Sequence, residues 1–424
     1  MNPGGKKLLA SVAAAVLVAF GAGCSSSKPS TRSSSSVSGR AAGSGSGGKS
    51  ITVGVLTDVT GLAASGNKTS IQGVQAGVAY AKDQGYTIHY VIGDTASSPA
   101  GALTAAQKLV DQDHVDAVIA VSSVAFGAAP FLNQHRIPVV GLQEDGPEWT
   151  TDLNMFSVGG IIRTNLVATV YGDFFKMEGV TTVGTIGYGI SPSSAEYAKG
   201  VADSAKHAGL KVGYVNANFP FGSTNVEPIA IAMKNAGVNG VYAPIDPNTA
   251  FALVTALRQL GANVKVALFP TGYGGDLTQA GPNASQVAQG VYFTVGPEPV
   301  EMHTSATELL QKYSQAAGIT GEPTEASYDG WGAIGLLVQA LKGAGSHPTS
   351  SSLLAALSNI HDWNYTGLWG GKTLDINNRN DTQNVDGPGN CTYVVKYAGT
   401  SFQLVPGADP ICGPVIPGLN ETPG

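Results

Sequence analysis

The sequence predicts an α/β protein with parallel β-sheets. Nine short apolar runs, rich in Val and Ile, alternate with segments of helical periodicity and with breaks that contain Gly, Pro, Asn or Asp. Strands that helices cover on both faces read as continuous apolar runs, which is the pattern seen here. The runs begin at Ile51, Thr87, Val115, Ile137, Val180, Leu210, Val238, Val264 and Gln289.

An internal similarity predicts two lobes. The stretch "ITVGVLTDVTG" leads through a helical segment to the strand "YTIHYVIGD", and "TTVGTIGYGISP" leads in the same way to "LKVGYVNAN". Each unit has the order strand, loop, helix and strand, as in the repeating unit of a parallel sheet. Two such units indicate two doubly wound lobes, one that begins at Ile51 and one that begins near Val180.

Composition limits the classes of function. The chain has 424 residues, of which 43% are hydrophobic and 12% are charged, and its formal net charge is −6. This length and apolar content are sufficient for two or three domains with buried cores. Because binding to phosphates needs clustered Lys and Arg, and no such block occurs, we expect no nucleic-acid partner.

Residues 1–24 have the pattern of a bacterial lipoprotein signal. Two lysines precede the apolar stretch Leu8–Gly23, which is too short and too rich in small residues for a spanning helix. The stretch ends in Ala-Gly before Cys24, which would carry the lipid. An ordinary signal peptide with a chance cysteine is the alternative. Residues 25–50 are rich in Ser and Gly and predict a flexible tether between this anchor and the folded part.

Two cysteines remain after Cys24. Outside the cytoplasm, the pair Cys391 and Cys412 is most simply explained by a disulfide. A metal site is the alternative, but partner ligands at a usual spacing are missing from the sequence.

Motifs of catalysis and of cofactor binding do not occur in the sequence. It contains no Gly-x-Ser-x-Gly elbow, no His-Glu-x-x-His, no Walker loop and no dinucleotide fingerprint. The stretch "DINNRND" lacks the glycine and the closing Glu of a calcium loop, which favours a polar turn. We therefore expect a protein that is not an enzyme and that uses no cofactor or metal. A hydrolase is the least favoured alternative, because the sequence shows no nucleophile paired with a base.

Polar and aromatic residues follow several of the predicted strands. In open parallel sheets, ligands bind beyond the carboxyl ends of the strands, so two lobes with polar ends would form a cleft. The residues at these positions are Thr57, Asp58, Ser122, Ser123, Gln143, Glu144, Asp145, Tyr188, Ser191, Asp246, Thr271 and Tyr273.

The pair Ser122 and Ser123 has two interpretations. A helix is predicted to begin near Val124, and its first N–H groups and positive dipole end would attract a carboxylate beside the hydroxyls. Alternatively, a serine at this position simply caps the helix. Both hold together if one serine caps and the other binds.

Four stretches, taken in order, resemble the periplasmic-type solute-binding proteins of ABC importers, in the branched-chain amino acid group. They cover nearly the whole chain from Ile51 to about Val405. The first resembles the opening strand and loop of the family, the second its strand–Ser–helix–strand pattern, the third a late helix and the fourth the closing hairpin. They read "ITVGVLTDVTG", "ALTAAQKLVDQDHVDAVIAVSSVAFGAAPFLNQHRIPVVG", "ASYDGWGAIGLLVQALKGAG" and "LDINNRNDTQN…TYVVKYAGTSFQLV".

The resemblance implies two lobes that are joined by three crossovers and that close on a ligand. Lobe one would comprise residues 51–163 and 300–358, and lobe two residues 164–299 and 359–424. Family contacts, carried over by position, fall on the polar strand ends and on the start of the late helix. The residues expected to contact the ligand are Ser122, Ser123, Gln143, Glu144, Asp145, Tyr188, Ser193, Asp246, Thr271, Tyr273 and Tyr328.

Two departures from the family bear on the ligand. Where members of the family have a run of small and hydroxyl residues, this chain has Gln143, Glu144 and Asp145. Where the family has an acidic residue that binds the ligand ammonium group, this chain has Thr271. Both argue against a leucine-type ligand, and Glu144 or Asp145 could instead hold a cationic or amide group.

The expected function is that of a lipid-anchored binding component of an ABC importer on the outer face of the cell membrane. It would capture a small polar solute, such as an amino acid or an amide, and present it to a permease. A membrane-anchored sensor with the same cleft is the alternative.

Overall fold

A computed structural model describes residues 49–143, 146–279 and 283–421. Cys24 and the predicted signal therefore lie outside the described residues, as do Glu144 and Asp145. The described residues contain fifteen strands: β1 Ser50–Thr57, β2 Thr87–Asp94, β3 Ala117–Val121, β4 Val139–Gly141, β5 Met155–Ser157, β6 Leu166–Ala168, β7 Thr182–Tyr188, β8 Lys211–Phe219, β9 Gly240–Tyr242, β10 Val266–Phe269, β11 Tyr292–Val295, β12 Cys391–Ala398, β13 Ser401–Leu404, β14 Ile411–Cys412 and β15 Val415–Asn420.

Helices separate most of these strands. Several of them begin at a residue whose side chain caps the helix. Ser98, for example, caps the third helix by accepting a hydrogen bond from the Gly101 N–H. The α-helices of the described residues are α1 Ala64–Asn67, α2 Ser70–Asp83, α3 Pro99–Asp111, α4 Ala129–Gln134, α5 Glu148–Thr151, α6 Val170–Met177, α7 Pro192–His207, α8 Glu227–Asn235, α9 Pro247–Gln259, α10 Asp276–Gln279, α11 Ala284–Val287, α12 Ser305–Ala316, α13 Glu325–Gly343 and α14 Ser350–Leu357.

The strands form two main sheets, and the predicted α/β class is confirmed. The first sheet has the order β2-β1-β3-β4-β5 and is parallel throughout. The second has the order β13-β12-β11-β10-β9-β7-β8 and is parallel from β8 to β11. The hairpin β12–β13 adds an antiparallel edge to it. Each of the nine predicted apolar runs contains one strand.

Burial explains the continuous apolar runs. All five residues of the central strand β3 are buried, whereas the edge strand β2 alternates between buried and exposed positions. One face of the first sheet packs against α2 and α13, and the other packs against α3 and α4. Because both faces of a central strand are covered, its sequence shows no alternation.

Helices α2 and α13 pack very closely through two glycines. A Cβ atom on Gly73 would lie 1.9 Å from the Ser327 carbonyl oxygen, and one on Gly330 would lie 2.2 Å from that of Ser70. Because both contacts are with backbone, the neighbours cannot move aside. The packing brings a late part of the chain, α13, onto the first sheet.

The chain passes between the two sheets three times. It leaves the first sheet after β5, returns after β11 to form α12 and α13, and enters the second sheet again at β12. We refer to the first sheet with its helices as lobe one and to the second as lobe two.

The boundaries of the lobes stay predictions. Hydrogen bonds of Arg379 bear on the last boundary, which is predicted to lie at residue 359. The Arg379 guanidinium donates to the carbonyl oxygens of Trp149 and Met155, both in lobe one, over 2.8 Å each. These contacts favour a third passage near Val385 rather than at residue 359.

The structure joins Cys391 to Cys412 in a disulfide, in agreement with the prediction from the cysteine count. The bond connects β12 to β14, which pair antiparallel. In the part of the chain that the structure describes, no helix is long and apolar enough to cross a membrane.

Candidate functional site

A cavity of about 300 Å³ lies between the two lobes, at the carboxyl ends of the parallel strands. Lobe one contributes residues that follow β3 and β4, and lobe two contributes residues that follow β7, β9 and β10. The three connecting segments line the cavity as well, through Val158 and Gly159, Gly296 and Pro297, and Asp386 and Gly387. A site at this position contacts both lobes and the segments that would bend during closure.

The structure brings six of the predicted ligand contacts to this cavity. Each follows the carboxyl end of a strand, as the argument from parallel sheets predicts. The six are Ser123, Gln143, Tyr188, Ser193, Asp246 and Thr271. Their role in ligand binding stays a prediction, and Glu144 and Asp145 lie outside the described residues.

The two serines after β3 have different positions. Ser122 is buried, donates to Asp58 Oδ1 over 2.8 Å and accepts from the Val124 N–H over 3.2 Å. Ser123 lines the cavity, and its Oγ accepts from Asn67 Nδ2 over 2.9 Å. The Ser122 hydroxyl is used inside lobe one, so the structure favours Ser123 as the serine that binds, and the role of both in ligand binding stays a prediction.

The helix predicted to begin near Val124 is also shorter than expected. A single 3₁₀ turn, Ala125–Gly127, follows the serines, and α4 begins only at Ala129 with six residues. So short a segment has little macrodipole. The predicted carboxylate seat at a helix N-terminus is therefore not present here.

Asp58 organises the lobe-one side of the cavity. Its Oδ2 accepts from Asn67 Nδ2 over 2.7 Å and from the Ser123 N–H over 3.0 Å. Its Oδ1 accepts from Ser122 and from the Thr95 hydroxyl. The carboxylate is fully buried, and four donors stabilise it there. It fixes the loops that carry Asn67 and Ser123.

Gln143 connects the lobe-one strands to the first connecting segment. Its Nε2 donates to the Ile162 carbonyl oxygen over 2.6 Å, and its Oε1 accepts from the Ile162 N–H over 3.0 Å. Its carboxamide therefore positions this segment beside the cavity.

Tyr188 and Asp246 form the polar part of the lobe-two side. The Tyr188 hydroxyl donates to Asp246 Oδ2, and Asp246 Oδ1 caps α9 by accepting from the Thr249 N–H over 3.1 Å. Burial, followed by the charge of Asp246, raises the pKa of the Tyr188 phenol well above its usual value. Tyr188 thus stays a neutral hydrogen-bond donor over the whole physiological range. Thr271 donates to the Ile245 carbonyl oxygen over 2.6 Å, which fixes the loop after β10.

Tyr273 and Tyr328 lie outside the cavity lining, so the cavity does not support their predicted role as ligand contacts, which stays a prediction. Both are buried, and their ring centroids are 6.3 Å apart. The Tyr273 hydroxyl donates to Glu301 Oε2 over 2.7 Å, and its ring packs 4.8 Å from that of Phe402. The turn after β10 directs this side chain into the core. Position along the chain does not reveal that direction.

The end of the cavity beside the connecting segments, which we call the hinge end, is not predicted from the sequence. Its residues are far apart in sequence, and two of them, Asp386 and Gly387, belong to a connecting segment rather than to a strand end. The Tyr171 hydroxyl donates to Asp386 Oδ1 over 2.8 Å. The hinge end is lined by Tyr171, Tyr197, Tyr242, Asp329, Tyr365, Trp369, Asp386 and Gly387. The stretch "NVDGPGN" around Asp386 reads as an ordinary turn, so the sequence contained no signal for it.

The charged residues of the lining are all acidic. No Lys, Arg or His occurs among the described lining residues, and no group of three or more potential metal ligands occurs among the described residues. Burial raises the pKa of Asp329 to about 7 and that of Asp386 to about 6. In Asp386 the hydrogen bond from Tyr171 and the nearby Tyr197 hydroxyl lower the pKa in part. The acidic residues are Asp246, Asp276, Glu325, Asp329 and Asp386.

Solved structures of several bacterial proteins share this fold. A leucine-binding protein, LivK, from Thermotoga maritima is 17% identical, with 87% of this chain and 99% of that chain covered and a TM-score of 0.67. A solute-binding protein from R. palustris in complex with 4-hydroxybenzoate is 19% identical, with 84% and 95% covered and a TM-score of 0.68. LivJ from Streptococcus pneumoniae in complex with isoleucine is 18% identical, with 84% and 99% covered and a TM-score of 0.67.

The comparison of sequences gives the family. No curated protein matches the chain. The family model described as "Periplasmic binding protein" matches residues 50–400, which include lobe one, most of lobe two and the residues that line the cavity. With two α/β lobes, three passages between them and a cavity at the strand ends, this chain belongs to the periplasmic binding protein family and has its type I fold.

Proposed function

We propose that this chain captures a small solute between its two lobes and delivers it to the permease of an ABC importer. The position of the cavity supports this proposal most directly, because both lobes and all three connecting segments contribute to its lining. A solute in that position contacts both lobes at once and therefore stabilises the closed form. The closed form would be the one that the permease recognises.

A lipid on Cys24 would keep the protein at the outer face of the cell membrane. The signal-like pattern of residues 1–24 and the Ser/Gly-rich stretch 25–50 support this part of the proposal. The composition of this stretch predicts a flexible tether, and about 26 residues of that kind would have a root-mean-square reach of roughly 30 Å, enough for the lobes to approach a permease in the same membrane.

A panel of ligands tests the proposal. We would measure the melting temperature of the full chain with amino acids, amides, amines, aromatic acids and sugars, each in large excess. A compound at 100 times its Kd adds roughly 2.7 kcal/mol to the free energy of unfolding. X-ray scattering should then show a smaller radius of gyration with that compound. Binding of no compound, or binding without closure, contradicts the proposal.

A matched pair of variants locates the binding site. Ser193→Ala removes a hydroxyl that lines the cavity, and Thr104→Ala removes an exposed hydroxyl on α3. We expect the affinity for the identified compound to fall about threefold to tenfold for Ser193→Ala, as expected for the loss of one hydrogen bond. Thr104→Ala should bind like the unchanged protein. Equal affinities in both variants would place the site elsewhere.

Uptake measurements test the link to transport. Cells that lack this chain should lose high-affinity uptake of the identified compound, and the full-length gene should restore it. Normal uptake without the chain would favour a sensor function instead.

A further inference from the structure

Asp386 is a carboxylate at the hinge end with one oxygen left unpaired. Protein surrounds its side chain, yet part of its surface remains accessible, because it faces the cavity. Its Oδ1 accepts from the Tyr171 hydroxyl over 2.8 Å, and its Oδ2 has no hydrogen-bond partner among the described residues. The nearby Tyr197 hydroxyl donates to the Val385 carbonyl oxygen over 2.8 Å. Asp386 thus keeps one buried oxygen, Oδ2, without a hydrogen-bond partner from the described chain at the wall of the cavity.

Asp329 has the same kind of environment. Its Oδ1 accepts from the Tyr365 hydroxyl over 3.1 Å, and its Oδ2 has no hydrogen-bond partner among the described residues. It lines the same cavity from the first turns of α13. Two carboxylates thus each bind one tyrosine and keep one oxygen unpaired.

Aromatic rings stand beside these carboxylates. The Tyr171 and Tyr242 ring centroids are 5.1 Å apart, and those of Tyr365 and Trp369 are 4.9 Å apart. A Cβ atom on Gly387 would lie 3.3 Å from the Trp369 ring, and the preceding residue, Asp386, accepts the hydrogen bond from Tyr171. All four rings line the cavity.

Within the described part of the chain, no positive charge acts on Asp329 or Asp386, the two carboxylates of the hinge end, whereas Asp276 elsewhere in the lining interacts with Lys68. The described lining residues include five carboxylates and no Lys, Arg or His. A buried carboxylate without a counter-charge costs free energy, and a cation supplied by the ligand would recover it. Tyrosine and tryptophan faces also attract cations, whereas an anion at the same place would be repelled.

We infer that the hinge end binds a positively charged group of the ligand, an ammonium or quaternary ammonium group, against Asp386 with Asp329 nearby. This inference deepens the proposed function and rests on it. The cation would pair with Asp386 Oδ2, and the rings of Tyr171, Tyr242 and Trp369 would contact its carbon atoms. The rest of the ligand would extend toward Ser123 and Asp246 in the wider part of the cavity.

Probes that share a shape and differ in charge test the inference. Benzylamine, benzyl alcohol and benzoate form one series, and choline and 3,3-dimethyl-1-butanol form a second. We would measure their affinities for the full chain at pH 7.5 by titration calorimetry. We expect a cation to bind at least tenfold more tightly than its neutral counterpart, and benzoate to bind most weakly. Neutral or anionic probes that bind as well as the cations, or cations that do not bind at all, would overturn the inference.

A matched pair of variants identifies the carboxylate. Asp386→Asn removes the charge from the cavity, whereas Asp111→Asn removes one from the exposed end of α3. Asp386→Asn should lower the affinity for the cation at least tenfold and change the affinity for its neutral counterpart less than twofold. Asp111→Asn should change neither. An equal loss of affinity for the cation and for its neutral counterpart would mean that the charge of Asp386 is not used and that its role is purely steric.

Two measurements keep these outcomes interpretable. The melting temperature without ligand shows whether Asp386→Asn folds, and Asp329→Asn replaces it in the same comparison if it does not. Where an acid or a neutral compound from the broad panel binds and closes the lobes while no cation does, the proposed function stands and this inference fails. If nothing binds in either experiment, both fail.

Discussion

Ser122 donates a hydrogen bond to Asp58 over 2.8 Å, and this contact decides which of two adjacent serines faces the cavity. The Ser122 hydroxyl is held by the first loop of lobe one, and it also caps the turn that follows by accepting from the Val124 N–H. Its neighbour Ser123 contacts Asp58 only through its backbone N–H, so its hydroxyl is directed toward Asn67 and the cavity. We therefore predict that the stability of lobe one depends on Ser122 and that the binding of a ligand depends on Ser123.

Substitution of each serine should separate these two roles. Ser122→Ala removes one donor from a fully buried carboxylate and should lower the free energy of unfolding by about 1–3 kcal/mol. Ser123→Ala leaves the donors of Asp58 in place and should mainly weaken ligand binding. Urea unfolding and calorimetry measure the two effects. A loss of stability confined to Ser123→Ala would contradict this assignment.

A methyl group on Gly73 should disrupt the contact of α2 with α13. The new Cβ would lie 1.9 Å from the Ser327 carbonyl oxygen, so the helices must separate. We expect Gly73→Ala to lower the free energy of unfolding by about 3 kcal/mol. Gly343→Ala is the control, because its Cβ would meet Ala356 at an ordinary 3.7 Å, and it should be neutral or slightly stabilising. Similar urea midpoints for the two variants would contradict the close packing.

Removal of the Asp329 carboxylate should stabilise the free protein in a pH-dependent way. Burial raises the pKa of Asp329 to about 7, whereas an Asp in an unfolded chain titrates near 3.9. Between these values the unfolded chain ionises more readily, so the unchanged protein loses stability as pH rises from about 4 to 7. Its hydrogen-bonded neighbour, Tyr365, has a pKa well above 10 through burial and stays neutral in this range.

Asp329→Asn should therefore be more stable than the unchanged protein at pH 8, on the order of 2 kcal/mol, and equally stable near pH 4. Thermal unfolding at a series of pH values measures the difference. A difference that is the same at pH 4 and at pH 8 would show that titration of Asp329 is not its cause.

The disulfide should stabilise the C-terminal strands. It closes a loop with a sequence separation of 21, for which the chain-entropy model gives roughly 3 kcal/mol. Replacement of Cys391 and Cys412 together by Ser should lower the free energy of unfolding by about that amount in oxidising buffer. In a strong reductant, the unchanged protein should unfold like the double variant. Equal stability of the two proteins in oxidising buffer would show that the bond does not contribute.

Substitution of Cys24 tests the proposed anchor. Cys24→Ala should move the protein from the membrane fraction to the soluble extracytoplasmic fraction, because the acceptor of the lipid is lost. Immunoblots of fractionated cells measure this, and a lipoprotein with an unchanged cysteine serves as the control. Retention of the variant in the membrane fraction would contradict lipidation.

Much of the cavity on the lobe-two side was predictable from residues 188–271. Strand β7 ends at Tyr188, and Asp246 and Thr271 follow β9 and β10 within a few residues. Parallel strands bring their carboxyl ends to one edge of a sheet. Tyr273 lies two residues beyond Thr271 and was predicted by the same argument, yet its side chain packs in the core. The position of a strand end predicts where the backbone lies. The conformation of the turn that follows decides in which direction each side chain points.

The sequence by itself determined the α/β class and the order of the strands, because burial on both faces requires continuous apolar runs that are visible in any single chain. It also predicted several strand-end residues that line the cavity, such as Ser123, Tyr188 and Asp246. Only the tertiary structure decided what forms the hinge end, where Tyr171 and Asp386 meet although they are 215 residues apart. The third passage of the chain brings Asp386 there, and such a long-range contact leaves no periodic or local pattern in the sequence.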